Sequence, residues 1–351
     1  MTRAIKVAAV GLGWVGQHRH LPVMNRSPNF EVIGVIDRQE ERARNISNKY
    51  RYPHCEAACS LYNVPWIDEV EAITISTAPM AHYHFANEAL ELGKHVLTEK
   101  PFTMTLDEGS SLVSKAKKSN LCLAIVHNFQ FSRSFLKLKY DIFSHSIGKI
   151  KSIDAIQFSN PSRRLPDWYD QLPFGLFFDE SPHLIYLMRA IVGSLTLKRS
   201  FIIPSDDQIS TPRRVEAWFT AEKMDIPIRL SCNFESSLSE WYLMVTGDKA
   251  TAVVDIFRDI YISLPNDRQH LTADVLNTSI RATAQHWLQH WTSGLRHLMG
   301  RLSYGNDEIF NRFSSAVKGN IEDIGLFDAN SAIDVLRLQH QIIDNHENIY
   351  A

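Results

Sequence analysis

Gly11, Gly13 and Gly16, in the string Gly11-Leu12-Gly13-Trp14-Val15-Gly16, have the spacing that lets a backbone close around phosphates. Gly11 permits a tight turn, Gly13 lets the chain approach a pyrophosphate, and Gly16 lets the next helix pack close to a sheet. The phosphates then face a helix N-terminus, where free N–H groups and the macrodipole meet negative charge. Trp14 and Val15, inside the loop, count with the glycines as cofactor contacts. Asp37 closes the next apolar run. A carboxylate there accepts hydrogen bonds from the adenine ribose hydroxyls and repels a 2′-phosphate, which favours NAD. Arg38 beside it is the residue that would bind that phosphate, so NADP stays open as the alternative.

A second group of residues has the makings of a reaction site. Glu99-Lys100-Pro101 ends an apolar run, and the proline turns the chain out of it. A lysine at the carboxyl end of a parallel strand lies where ligands bind, and it can stabilise negative charge on a reacting oxygen. Asp179 and His183 are four apart, so at the start of a helix they share one face. The imidazole is the natural proton acceptor near neutral pH, and the carboxylate binds substrate hydroxyls or biases the histidine's charge. The plainer reading of this pair is an N-capping Asp and a core-edge His. Ahead of them, Arg163-Arg164-Leu165-Pro166-Asp167-Trp168-Tyr169 sets two arginines beside two aromatics. That loop suits stacking on a sugar ring and paired hydrogen bonds to an anion; a solvated loop is the equal alternative.

The elements that must position these residues follow from hydrophobic patterning. Short apolar runs at 5–10, 30–36, 72–76, 95–98 and 121–126 read as strands buried on both faces, with helical patterns between them. This alternation predicts an α/β N-terminal half, a doubly wound parallel sheet of Rossmann type. After about residue 148 the pattern changes. Segments 150–158, 214–221, 226–234, 241–246 and 251–256 read as strands separated by turns, with a hairpin at 245–249. They predict an α+β domain with a large open, mostly antiparallel sheet. A helix is expected near 182–192 and another over 329–344, the latter able to pack back on the first domain. The expected boundary is 1–127 for the dinucleotide domain and 128–351 for the substrate and oligomerisation domain. Residues 265–303 read as a helical insertion, with Trp287 and Trp291 taken as a buried or oligomer-facing stripe in preference to a ligand platform or membrane contact.

The glycine loop, a Glu-Lys-Pro after the fourth strand, and an Asp-x-x-x-His opening a helix in a sheet-forming second domain together resemble the glucose–fructose oxidoreductase/inositol dehydrogenase/rhizopine catabolism (Gfo/Idh/MocA) family. The resemblance covers roughly residues 4–260 and 304–345. The run 89–101 (ALELGKHVLTEKP) is its most diagnostic string. It implies that Thr77, Pro79 and His82 lie under the nicotinamide ribose, and that Glu99, Lys100 and Gln130 also contact the cofactor. It further implies that Lys100, Asp179 and His183 are the catalytic set, with His183 as base, Lys100 as partner of the reacting oxygen and Asp179 as organiser. Arg163, Arg164, Trp168 and Tyr169 are the expected substrate contacts. The implied reaction is hydride transfer between a nicotinamide and a secondary alcohol or ketone of a sugar, inositol, sugar acid or nucleotide sugar. Two other readings stand beside it: an NAD-retaining lyase or glycosidase working through transient oxidation, and a non-enzymatic dinucleotide-binding regulator. The chain departs from the family in the turn before Asp179, where 173–178 holds one glycine and three phenylalanines, and in Glu180-Ser181-Pro182 after it.

Bulk properties agree with a globular enzyme. The 351 residues suit two domains, and a formal charge of −2 gives no global pull toward nucleic acid or an anionic membrane. Four cysteines make no disulfide framework, and no metal site is expected. No apolar run is long enough to span a bilayer, and the N-terminus lacks the layout of a signal peptide. The expected setting is the cytoplasm, with a small sugar-like substrate, a homo-oligomeric state, and neither nucleic acid nor membrane as partner.

Overall fold

The structure is a computed structural model, and it describes residues 3–205, 210–299, 303–320 and 325–348. The chain divides into two compact units, residues 1–128 with 306–337, and residues 129–305 with 338–351.

The first unit is built on six parallel strands: β1 (Ile5–Val10), β2 (Phe30–Asp37), β3 (His54–Ala57), β4 (Ala72–Ile75), β5 (His95–Thr98) and β6 (Leu123–Ile125). Their order in the sheet is β3-β2-β1-β4-β5-β6, the doubly wound arrangement whose ligand crevice opens where the strand order reverses, between β1 and β4. Helices α1 (Leu21–Arg26), α2 (Glu40–Tyr50), α3 (His82–Glu91) and α4 (Leu106–Lys118) make the crossovers. β1 and β4 are almost wholly apolar because both of their faces are covered. β3 lies at the sheet edge and alternates half-buried and exposed, which is why its sequence shows no apolar run.

The second unit carries α5 (Arg133–Phe143), β7 (Ile150–Phe158), α6 (Leu176–Val192), β8 (Leu195–Ile203), β9 (Arg214–Ala221), β10 (Met224–Asn233), β11 (Glu240–Gly247), β12 (Ala250–Asp255), β13 (Ile260–Pro265) and α7 (Thr272–Leu298). Helix α8 (Asn306–Val317) belongs to the first unit. Helix α9 (Ala329–Asp344) gives its first part to that unit's core, through Ala329, Ala332 and Ile333, and its last turns to the second. β14 (Glu347–Asn348) closes a sheet of order β13-β12-β11-β7-β10-β9-β8-β14. Its pairs are antiparallel except β7–β10 and β8–β14. The strands alternate buried with part-exposed residues, the period-two pattern of a sheet covered on one face. Helix α6 packs on β7 and β10. The hairpin expected at 245–249 joins β11 to β12.

Candidate functional site

In the first unit the site is built at the crevice between β1 and β4. Gly11 has a φ of +84°, and a Cβ on it would lie 2.6 Å from the Thr77 amide nitrogen at the end of β4. A Cβ on Gly16 would lie 2.3 Å from the Gly11 carbonyl oxygen. A Cβ on Gly13, by contrast, would meet nothing within 4 Å. The first and third glycines are thus demanded by the protein's own packing, while the second faces open space. That is the profile of a loop shaped to receive phosphates against the first amides of a helix, which have no partners within the helix itself. The Ser76 hydroxyl donates to the Gly11 carbonyl at 2.7 Å and tightens the turn. After Val15 the helix runs as a π turn from Gly16 to His20 before α1 begins. Trp14 is half exposed; its ring stacks on His18 and lies under the Arg19 guanidinium.

Asp37, the expected ribose acceptor, closes β2. Its side chain is only 5% exposed. One carboxylate oxygen accepts from the Leu12 amide at 2.8 Å, the other from the Gln39 amide at 2.9 Å, and Arg42 lies 3.4 Å from both. The carboxylate therefore braces the end of β2 against the glycine loop, with lone pairs to spare for a ligand. Arg38 is exposed. Arg42, five residues on, is the cation that meets Asp37, and nothing in the sequence marks it.

The Lys100–Pro101 peptide is cis and directly follows β5. Glu99 is turned inward. It accepts from His20 at 3.0 Å and from the Lys100 amide at 3.2 Å. Burial pushes its carboxyl up, but the His20 hydrogen bond together with the charges of His20, Lys100 and His82 outweighs burial and holds it below the usual range. His82 is fully buried, with Nδ1 2.7 Å from the Pro101 carbonyl oxygen and Nε2 3.2 Å from that of Thr77. Burial lowers its pKa against the opposing pull of the Pro101 carbonyl. Both residues thus act as clamps between loops. Thr77 and Pro79 stand at the carboxyl end of β4, and the Thr77 hydroxyl donates to the Ala78 carbonyl. His20, which the sequence reading passed over, joins the glycine helix to Glu99.

In the second unit α6 begins at Leu176 after the N-cap Gly175, earlier than the helix expected near 182–192, and carries Asp179 and His183 on one face. Pro182 lies inside the helix and has no N–H for the Phe178 carbonyl one turn back. Gln339 of α9 replaces that missing donor: its Nε2 reaches the Phe178 oxygen at 2.8 Å and the Ser181 hydroxyl at 3.0 Å. His183 is 7% exposed and boxed by aromatic rings, Phe129 at 4.8 Å, Trp241 at 5.3 Å and Tyr186 at 5.6 Å between centroids. The Tyr186 hydroxyl lies 2.9 Å from His183 Nδ1 and accepts from the Phe129 amide at 3.0 Å. A histidine ring held at Nδ1 this way projects Nε2 as its other hydrogen-bonding atom. Tyr186 is three residues past His183, a helical spacing that marks the shared face in retrospect. Gln130 is buried, and its Nε2 is a donor with no hydrogen-bond partner among the described residues.

The two arginines of the 163–169 loop have different surroundings. Arg163 is given to Glu180, which is buried and also accepts from Gln157 and, at 3.2 Å, from the Ser159 hydroxyl. Glu180 is thus turned into the fold and away from solvent. Arg164 is exposed, and Trp168 and Tyr169 are half-buried on the same loop.

Comparison with known proteins fits this geometry. Residues 5–127 match the family described as an oxidoreductase family with an NAD-binding Rossmann fold. An uncharacterized oxidoreductase of Schizosaccharomyces pombe is 33% identical over 187 residues, 52% of this chain and 50% of its own. The scyllo-inositol 2-dehydrogenase (NADP(+)) IolW of Bacillus subtilis is 26% identical over 187 residues, again 52% of this chain and 50% of its own. The chain thus matches about half the length of these curated relatives. Among solved structures, UDP-N-acetylglucosamine 3-dehydrogenase GnnA from Acidithiobacillus ferrooxidans shares the fold, with a TM-score of 0.74, 18% identity and 99% of each chain covered. Residues 5–127 thus match the NAD-binding Rossmann domain of the Gfo/Idh/MocA oxidoreductase family.

Proposed function

We propose that this chain is an NAD(P)-dependent dehydrogenase or reductase acting on a secondary alcohol or ketone of a sugar-like molecule: a sugar, inositol, sugar acid or nucleotide sugar. The observation that carries the reading is the glycine loop, closed by packing at Gly11 and Gly16 and open at Gly13. The names of the inositol dehydrogenase and of the nucleotide-sugar dehydrogenase with the same fold support the substrate class. When bound, the dinucleotide supplies the hydride exchange; the protein's share is orientation and one proton. In this reading Gly13, Trp14 and Val15 hold the pyrophosphate, and Asp37 meets the adenine ribose and favours NAD. Thr77, Pro79, Lys100 and Gln130 line the nicotinamide end.

His183 is the base. With Nδ1–H donated to the Tyr186 oxygen, Nε2 carries the lone pair that takes the hydroxyl proton, and the same bond persists in the imidazolium. Lys100 stabilises the developing negative charge on the reacting oxygen, and Asp179 orients the substrate hydroxyls. Arg164, Trp168 and Tyr169 bind the remote part of the substrate. The test is a panel of sugars, inositols, sugar acids and nucleotide sugars with NAD and with NADP, followed by the absorbance of the reduced nicotinamide. Turnover of at least one member, lost in Lys100→Ala, is expected; no turnover across the panel by a protein that binds the dinucleotide refutes the reading.

A further inference from the structure

Glu180 is a carboxylate in a packing position. It stands in the first turns of α6, a helix that packs on β7 and β10, and is 7% exposed. A buried carboxylate is costly unless donors meet its lone pairs, and an aliphatic side chain of similar volume would fill the position without that cost. The carboxylate is explained by what it holds. One oxygen accepts from Gln157 Nε2 at 2.5 Å and from the Ser159 hydroxyl at 3.2 Å, at the end of β7. The other forms the ion pair with Arg163. Arg163 is in turn set by its backbone. Just past β7 the Asn160 side-chain oxygen accepts from the Ser162 amide at 2.8 Å, and the Asn160 carbonyl accepts from the Arg163 amide at 3.2 Å. This tight turn delivers Arg163 to Glu180.

The far end of the same segment is tied down at the start of α6. The Ser210 hydroxyl donates to the Asp170 carbonyl, Leu172 is buried, and the Thr211 hydroxyl accepts from the Leu176 amide at 2.9 Å. A Cβ on Gly175 would lie 2.1 Å from that Thr211 oxygen, so the chain enters α6 pressed against Thr211. The short helical turn Tyr169–Gln171 also packs on α6. Residues 163–175 are therefore a compact loop with both ends fixed on one end of one helix. At one end the covalent chain makes the join, at the other the Arg163–Glu180 pair. Between these anchors Arg164 is exposed, and Trp168 and Tyr169 are half-buried. Glu180 directly follows Asp179 in the sequence, so the same part of α6 that carries Asp179 also holds the loop.

We propose that Glu180 is a positioning residue for substrate binding, on the reading given above that this loop meets the remote part of the substrate. Through Arg163 it closes the 163–175 loop on the start of α6, and so sets Arg164, Trp168 and Tyr169 at the helix end that carries Asp179. Glu180 acts through Arg163 and not by touching substrate. Without the pair the loop stays joined to α6 by the covalent chain alone, and the substrate must order it on binding. That raises KM and leaves the chemical step as it was.

Glu180→Gln keeps the volume and an acceptor for Gln157 but removes the charge that holds Arg163, whose side chain, 23% exposed, can then turn to water. Two measurements on the full chain test the proposal. Limited trypsin digestion, with the cut bonds identified by mass spectrometry, reads the loop without substrate or cofactor. Cleavage after Arg163 or Arg164 should accelerate on the order of tenfold, the effect of one charge-assisted bond on a local opening equilibrium. Cuts elsewhere in the chain should keep their parental rates, and Arg163→Lys, which keeps a cation for Glu180, should restore slow cleavage of the loop. Steady-state kinetics, on whichever member of the sugar panel the parent turns over, read the positioning. KM should rise about fivefold, the cost of ordering one further side chain at binding, with kcat unchanged. In an Arg164→Ala background the same change should raise KM only about twofold, since one contact that it positions is already gone. If Glu180→Gln does not fold, Glu180→Leu with Arg163→Met removes both charges and carries the same measurements. Parental cleavage rates in the loop overturn the inference whatever the kinetics show. Faster cleavage with an unchanged KM, or an equal rise of KM in the two backgrounds, overturns the positioning role. No turnover by the parent across the panel refutes the proposed function instead, and the digestion then decides the closure of the loop alone.

Discussion

The bond from Gln339 to the Phe178 carbonyl makes a sharp energetic prediction about the helix that carries Asp179 and His183. Gln339 is 1% exposed and its Nε2 lies 2.8 Å from an oxygen that Pro182 leaves without its helical donor. Gln339→Met keeps the volume but removes both donated bonds. A buried carbonyl left without a partner costs about 1–3 kcal/mol, and the lost Ser181 bond adds about 1 kcal/mol. The expected destabilisation is therefore about 2–4 kcal/mol. Pro182→Ala restores a backbone N–H pointing at the same carbonyl. In that background Gln339→Met should cost only about 1 kcal/mol, a coupling of about 1–3 kcal/mol between residues 157 positions apart in the sequence. Urea unfolding of the four proteins, followed by far-UV circular dichroism, measures the cycle. Equal costs of Gln339→Met in the two backgrounds, to within about 0.5 kcal/mol, would refute the reasoning.

Asp37→Ala should cost about 1–3 kcal/mol by stranding the Leu12 and Gln39 amides. It should also raise the use of NADP relative to NAD, because Arg42 loses its carboxylate partner; an unchanged ratio of kcat/KM values for the two cofactors counts against the assignment. His183→Ala should slow turnover by on the order of 10²–10⁴ while sparing NAD binding. Tyr186→Phe should keep cofactor affinity but lower kcat and displace its pH profile, since it frees Nδ1; an unmoved profile removes Tyr186 from the mechanism. Arg163→Ala should destabilise by about 3–5 kcal/mol because Glu180 is left buried and unpaired. Arg164→Ala should leave stability alone and raise KM more than it lowers kcat, so equal melting of the two variants, or parental kinetics in the second, would contradict the split. Cys55 and Cys59 are exposed, whereas Cys122 and Cys232 are buried, and burial pushes the Cys122 thiol up to about 12. It stays protonated at a mildly alkaline pH of about 8, where a thiol reagent should titrate two cysteines in the folded chain and four in urea.

The sequence by itself determined what is local and periodic. Ile5–Val10 and the glycine loop announced a strand, a turn and a helix, because a fully buried parallel strand must be apolar throughout and a phosphate turn must be glycine-rich. The spacing of Asp179 and His183 placed them on one helical face, and the strands from Ile150 onward showed the alternation of a half-covered sheet. Strand β3 escaped notice because an edge strand carries polar residues, and β8, flanked on its outer side only by the two-residue β14, carries Lys198 and Arg199. What only the tertiary structure decided is which polar groups find each other across long sequence distances. It gave Asp37 to the Leu12 and Gln39 amides, Arg163 to Glu180, and Gln339 to the carbonyl that Pro182 orphans. It also turned Trp287 and Trp291 outward, because Gln285, Gln289 and Ser293 bind the edge strand more specifically than an apolar face could. Helical periodicity shows that a stripe exists, but its direction depends on which face satisfies the backbone groups of a neighbour, and those groups belong to a strand that the sequence of the helix does not mention.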